Sequence, residues 1–559
     1  MLLLLNSLVL LLAHGVAIAI ASPSGTGHRV APKVTVKNGT YTGKHLAEYD
    51  QDIFLGVPFA QPPVGDLRFT VPQPLNGSWN GARDATKYST ECVGYGSDQW
   101  PYEISEDCLY LNVIRPAGNY KNLPIAFWIH GGGYSMGGGV DQRYNMSFMV
   151  QNSVKIGKPI IGVSINYRLA TWGFLNSNEV QGTGNTNLGL RDQRLALHWV
   201  QENIGAFGGD PSKVTIFGES AGASAVGFHL VAYGGRDDCL FRGAIMESGN
   251  PIPYFPLNGV DYYQPLYDLL VNSTGCGNST DTLQCLRGVP FESLNKNPAL
   301  DGDFVQQYPS IQLAQGRFVH VPIIDGTNSD EGHSFGPSGI NTTQDFANYL
   351  ESSGVPPSLT QELLKAYPDI PSEGIPGSPP LGSLPPNFRF GPPQGPQFRR
   401  SAAYAGDEVF IANRRLTTQT WAAAGVPAYS YRFNVVPAGL QFVDHFQEVS
   451  SVFYNLMGVG YEAPGTLPPF HNEPKSHAEV ARLMDSSWIS FVHDQDPNSF
   501  RQTYGQGGFP GMKPWPRYSV QAPQNFVFDA NVTSHPEPDT WRAAGIKLIN
   551  ENNVGVYRR

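Results

Sequence analysis

The chain has 559 residues, 41% of them hydrophobic and only 15% charged, with a formal net charge of -10 and a pI near 5.7. That balance excludes a disordered chain and fits a large globular unit with an extensive core. No Lys/Arg-rich run interrupts the acidic background, so no basic face is available to neutralise phosphates, and nucleic acid is excluded as a partner.

Residues 1–21 read MLLLLNSLVLLLAHGVAIAIA, a leucine-rich run ending in small-x-small patterns, as expected of a signal peptide cut after Ala21. No later run of about 20 apolar residues follows, so residues 22–559 are expected as one secreted, extracellular domain without stable membrane insertion. Secretion is consistent with N-x-S/T sequons at Asn38, Asn76, Asn145, Asn272, Asn278, Asn341 and Asn531, each predicting an exposed loop or edge if it carries a glycan. In an oxidising compartment the short-range cysteine pairs Cys92 with Cys108 and Cys276 with Cys285 would each close a small loop. Cys239, left over just before an apolar run, is expected as a buried free thiol.

Short apolar runs at Leu123–Ile129, Pro159–Ile165, Val214–Phe217 and Gly243–Met246 read as strands of a parallel sheet covered on both faces. Leu188–Ile204 places Leu190, Leu195, Leu197 and Val200 at helical spacing. Strand and helix in alternation predict an α/β fold with a large, mostly parallel twisted sheet and active-site loops at the carboxyl ends of its strands. Val321–Asp325 and Val426–Phe433 read as further strands, and Ser401–Ala424 and Ala478–Val492 as helices. Between Val355 and Arg399 the sequence is rich in Pro and Gly, predicting a long surface excursion within the domain.

The pattern G-x-S-x-G occurs around Ser135, Ser220 and Ser334. A nucleophile elbow needs a strand before the serine, a helix after it and small neighbours. Only Ser220 has these: Val214–Phe217 precedes it, Gly218 and Gly222 flank it, and Ala221 to Ala225 begins a small-residue helix. A serine hydroxyl also needs a base oriented by an acid. The run His130-Gly131-Gly132-Gly133-Tyr134 follows the strand ending at Ile129. Its glycines allow backbone N–H groups to face a developing oxyanion, so Gly132, Gly133 and Ala221 are the expected donors. Asp330 and Glu331 both follow the Val321–Asp325 strand, and six histidines lie beyond them: His333, His445, His471, His477, His493 and His535.

With these motifs the chain resembles the type-B carboxylesterase/lipase family, which includes fungal secreted esterases and lipases and, more distantly, the cholinesterases. The matching segments are Ser105 to Val113 (SEDCLYLNV), His130 to Tyr134, Asn166-Tyr167-Arg168, Phe207 to Pro211, Phe217 to Gly222, Asn328 to Gly332 and His445 to Val449. The resemblance implies the α/β-hydrolase fold and a triad of Ser220, Glu331 and His445. It implies attack by Ser220 on an ester carbonyl, an acyl-enzyme and hydrolysis by water, with neither metal nor cofactor. Arg68 with Glu106 and Arg168 with Asp192 look like the family's structural ion pairs.

The substrate implied is a small-molecule or lipid ester. In related fungal lipases the first-disulfide loop forms a long lid. Here only fifteen residues lie between Cys92 and Cys108, which favours a carboxylesterase with an open gorge over a triacylglycerol lipase. A cholinesterase-like reading rests on Trp100 and Glu219 as gorge residues, though Trp100 lies closer to Cys108 than that pattern requires. An inactive binding homologue is disfavoured because all three triad residues are present. Acidification is expected to stop turnover with an apparent pKa of roughly 6 to 7.

Overall fold

The structure, a computed structural model, describes residues 30–253, 255–290, 306–375, 384–462, 465–501 and 512–559. The segment read as a signal peptide lies outside them. Along the strand Leu123–Ile129 every residue is buried, yet neighbours face different cores: Ile125, Phe127 and Ile129 enter one apolar cluster, Ala126 and Trp128 another. Period-two geometry with helices on both sides has this result, and it explains why the sequence shows an unbroken apolar run instead of an alternation.

In chain order the strands of the main sheet are β1 (Lys44–Leu46), β2 (Gln51–Pro58), β3 (Tyr110–Pro116), β4 (Leu123–Ile129), β5 (Ile161–Ile165), β6 (Gly209–Glu219), β7 (Gly243–Glu247), β8 (Ile323–Asn328), β9 (Ala428–Asn434), β10 (Gln524–Asp529) and β11 (His535–Pro538). They form an 11-stranded sheet ordered β11-β10-β9-β8-β7-β6-β4-β5-β3-β2-β1. From β5 to β10 neighbouring strands run parallel; β1, β2, β3 and β11 join antiparallel. The helices Leu188–Asn203 and Ala221–Gly235 contribute Leu190, Leu197, Val200 and Val226 to the core on one face. Lys475–Asp494 contributes Met484, Trp488 and Phe491 to the other. Full burial of each such side chain contributes about 1.5–3 kcal/mol. This is the doubly wound α/β arrangement read from the sequence.

Both predicted disulfides are present, Cys92–Cys108 and Cys276–Cys285. Both ion pairs form as well: Arg68 meets Glu106 at 2.6 Å, and Arg168 meets Asp192 at 2.7 Å in the interior. Among the described residues, no helix is long and apolar enough to cross a membrane.

Three expectations need correction. Cys239 is exposed: Asp237 accepts from its backbone N–H in a tight turn, and the burial goes to Leu240 and Phe241 instead. Within the Pro/Gly-rich stretch, Pro357–Ala366 forms a helix that buries Leu359 and Leu363 in a third core with Phe398 and Ile546. Pro356 and Pro357 sit at its start, where their missing N–H groups cost nothing. The helix read as Ser401–Ala424 is two helices, Phe398–Gly406 and Ala412–Ala423, joined by a wide π-type turn at Asp407–Ile411.

The sequons differ in exposure. Asn76, Asn272, Asn278, Asn341 and Asn531 are exposed, whereas Asn38 and Asn145 are half-buried. Asn145 caps the helix Met146–Lys155 by accepting from the Ser147 N–H. Asn272 lies on the helix Val260–Ser273, not in a loop.

Candidate active site

Ser220 follows β6 directly and has φ 56° and ψ -121°, a strained conformation for a non-glycine residue. Close packing around it explains the small neighbours. A Cβ on Gly222 would stand 2.1 Å from the Ile129 carbonyl oxygen, and one on Gly218 2.5 Å from the same atom. The turn is therefore pressed against the end of β4, and its strain is held by the sheet.

The loop after β4 approaches equally closely. A Cβ on Gly131 would lie 2.5 Å from the Glu219 carbonyl oxygen and 3.1 Å from Cβ of Ser220. Gly132 and Gly133 have φ of 91° and 63°, values open to glycine at no steric cost. His130 anchors this loop. Its ring stacks on Tyr167 at 4.4 Å, its carbonyl accepts from the Tyr167 hydroxyl at 2.8 Å, and burial lowers its pKa to about 4, which keeps it neutral. Ala221 opens the elbow helix, where the first amides have no acceptor within the helix.

Glu331 lies three residues past β8 and is fully buried. Its Oε2 stands 2.7 Å from Nδ1 of His445; a carboxylate only accepts, so Nδ1 carries the proton. Its Oε1 accepts from the Asn328 N–H at 2.7 Å and from the Ser248 hydroxyl. Asp330 instead accepts from the Val443 N–H, and His333 pairs with Asp444 at 3.0 Å. Ser334 is exposed on the helix Glu331–Phe335, and the Ser135 hydroxyl donates to the Gly133 carbonyl.

Nε2 of His445 stands 3.2 Å from Oε1 of Glu219, the residue before Ser220. The alignment is poor, and among the described residues Nε2 has no hydrogen-bond partner. Burial alone would lower the imidazole pKa, but the charges of Glu219 and Glu331, the Glu331 hydrogen bond and Glu448 together raise it to about 9. The carboxyls respond in turn. Burial, reinforced by Glu448 and Glu331, holds Glu219 well above the usual carboxylate range against the pull of His445. Burial, and then the Glu331 charge, lifts Glu448 to about 7.

A family model described as the carboxylesterase family matches residues 30–541. The chain belongs to the carboxylesterase family. It is a carboxylic ester hydrolase with the α/β-hydrolase fold. Secreted lipase 1 of Botryotinia fuckeliana is 36% identical over 541 residues, covering 88% of each chain. Lipase 2 of Diutina rugosa is 38% identical over 542 residues, covering 87% of this chain and 90% of that one. The crystal structure of Aspergillus niger EstA superposes with a TM-score of 0.78 at 28% identity, covering 94% of this carboxylesterase and 99% of EstA.

Trp100 is a surface side chain of this carboxylesterase. It is 84% exposed just past the short turn Ser97–Gln99, and the loop around it packs on the oxyanion-loop flank, where the Tyr95 N–H donates to the Ser135 carbonyl at 2.6 Å. Glu219, by contrast, is buried against His445. Sequence reasoning overlooked Glu247, which ends β7 beside β6 in the register Glu219 to Glu247, and Ser248, which follows it. Their place at a strand's carboxyl end was the available signal. It also overlooked Phe335 and Phe410, whose rings flank His445.

Proposed function

We propose that this carboxylesterase works through Ser220 as nucleophile, His445 as general base and acid, and Glu331 as the group that orients and charge-balances the imidazole. The observation that carries the reading is the 2.7 Å contact between His445 Nδ1 and Glu331 Oε2, with Nε2 turned toward the elbow that bears Ser220. As an ester docks, a small rotation takes Nε2 from Glu219 to the Ser220 hydroxyl; such bonds commonly tighten only in the substrate complex. Ser220 attacks the carbonyl carbon and its proton passes to Nε2. The N–H groups of Gly132, Gly133 and Ala221 receive the oxyanion. Collapse expels the alcohol, which takes the proton from His445. Water, deprotonated by the same nitrogen, then releases the acid.

The substrates proposed are uncharged carboxylic esters of short to medium acyl length, hydrolysed outside the cell. The short first-disulfide loop, packed on its neighbour, supports esterase over lipase, while the names of the two reported lipases favour a lipid ester. Exposure of Trp100 removes the main support for a choline-ester site. Exposed Asn76, Asn278 and Asn531 are the leading proposed glycan carriers.

The test combines p-nitrophenyl esters of rising acyl length, emulsified triglyceride and a choline ester with fluorophosphonate labelling of wild type and Ser220→Ala. The expected result is fastest turnover of soluble esters, with both turnover and labelling abolished in Ser220→Ala. Labelling retained at another serine would refute the nucleophile, and faster turnover of emulsion than of soluble ester would refute the substrate class.

A further inference from the structure

The imidazole of His445 is gripped by rings as well as by carboxylates. Phe410 stacks on it with centroids 4.7 Å apart and planes 19° from parallel. Phe335 meets it edge-on at 5.1 Å and 82°, and the two phenylalanines touch at 5.3 Å. Phe335 ends the five-residue helix that Glu331 begins. They stand four positions apart, which puts both on one helical face, so a single turn delivers the carboxylate to Nδ1 and a ring to the imidazole edge.

Phe410 reaches its place by a less ordinary route. It lies in the π-type turn Asp407–Ile411 between two α-helices, where an extra residue in the turn shifts the direction of the side chains that follow. The turn is clamped on both sides. Arg542 donates to both carboxylate oxygens of Asp407, at 2.6 and 2.7 Å, and the Tyr367 hydroxyl donates to Oδ2 at 2.9 Å. Arg559 donates to Glu408 at 2.8 Å. A wide turn leaves carbonyls without their i+4 amide, and the Asn413 side-chain amide donates to those of Glu408 and Val409, the latter at 3.0 Å. Phe410 itself is 1% exposed.

We propose that Phe410, set by this π-type turn, is a positioning residue for His445: it fixes the ring plane in which Nε2 swings from Glu219 to Ser220, and its π-face stabilises the imidazolium formed during attack. This rests on the reading of His445 as the base. The charged groups facing the imidazole are Glu219 from the elbow, Glu331 from the short helix and Glu448 from its own loop; the uncharged rings supply a contribution that these carboxylates do not.

The experiment measures kcat, KM and the pH profile of kcat/KM on a soluble p-nitrophenyl ester for Phe410→Leu, Phe410→Tyr, Asn413→Ala and His445→Gln. Active enzyme is counted by fluorophosphonate titration and folding by thermal melting. For Phe410→Leu the expected result is a kcat loss of about tenfold or more, with KM within about threefold. The acid limb should also move about half a pH unit lower, as a lost cation–π contact dictates. Phe410→Tyr should restore both, and Asn413→Ala, which touches neither ring, should reproduce a weaker form of the loss. Should Phe410→Leu fail to melt cooperatively, Phe410→Tyr and Asn413→Ala decide: near-wild-type behaviour of the first with the graded kcat loss and limb shift of the second supports the proposal, and any other pairing overturns it. A rise in KM at unchanged kcat, with the limb unmoved, would make Phe410 a wall of the substrate pocket and overturn it. Turnover retained in His445→Gln would instead overturn the underlying reading, whereas an inactive His445→Gln beside an unaltered Phe410→Leu would overturn only this inference.

Discussion

Oε1 of Glu219 stands 3.2 Å from Nε2 of His445, on the side of the imidazole opposite the Glu331 contact. Groups this close titrate as a pair, and the charges of Glu219 and Glu331 hold the imidazole proton above the ordinary range of about 6.5. With the neutral imidazole as the proposed base, kcat/KM falls as pH drops through that raised pKa. The acid limb therefore lies between roughly pH 7 and 9, above the value of 6 to 7 expected from an unperturbed histidine. Glu219→Gln removes the carboxyl that titrates with the imidazole and helps raise its pKa, so its limb should move to lower pH. A pH–rate profile unchanged by that substitution would count against the assignment.

Glu331→Gln keeps the shape of the side chain but offers Nδ1 an amide in place of a carboxylate. The expected loss in kcat is on the order of 10³–10⁴-fold, as when an orienting acid is made neutral in other triads, with the melting temperature little altered. A loss under tenfold would show that Glu448, 3.3 Å from the shared Ser248 hydroxyl, can take over.

Gly131→Ala inserts a methyl 2.9 Å from Oε2 of Glu219 and 3.1 Å from Cβ of Ser220. Neither neighbour can yield without moving the elbow, so kcat should drop about 10²-fold. The comparison is Gly259→Ala, where a Cβ meets nothing within 4 Å and steady-state kinetics should match wild type.

Asp192→Ala strands the Arg168 guanidinium, which is 3% exposed. Breaking a buried pair from one side costs about 3–5 kcal/mol. The midpoint of denaturant unfolding should fall clearly, while turnover per titrated active site stays near wild type. A lowered turnover with unaltered stability would place this pair in the chemistry.

The parts of the site legible in the sequence are those set by local geometry. Ser220 was distinguishable from Ser135 and Ser334 because an elbow demands a strand, small flanking residues and a helix within about ten residues. The proposed oxyanion donors Gly132 and Gly133 have a local signature of the same kind, a glycine run directly after a strand. Glu331 and His445 are separated by 114 residues, and no local rule chooses between Asp330 and Glu331 or among six histidines; the family resemblance made that choice. Phe410 was hidden because a π-type turn has the composition of an α-helix, and its added residue shows only once backbone hydrogen bonds are traced. Cys239 reads as buried because it stands next to an apolar run, whereas the tight turn at Asp237 leaves it outside while Leu240 and Phe241 pack.

Cys239 also has a practical use. The other four cysteines are paired, and this thiol precedes β7, at the end of the strand remote from Glu247 and the Ser220 elbow. Maleimide coupling would therefore attach the enzyme to a bead or electrode by one bond, in one orientation, with its mouth facing the solution.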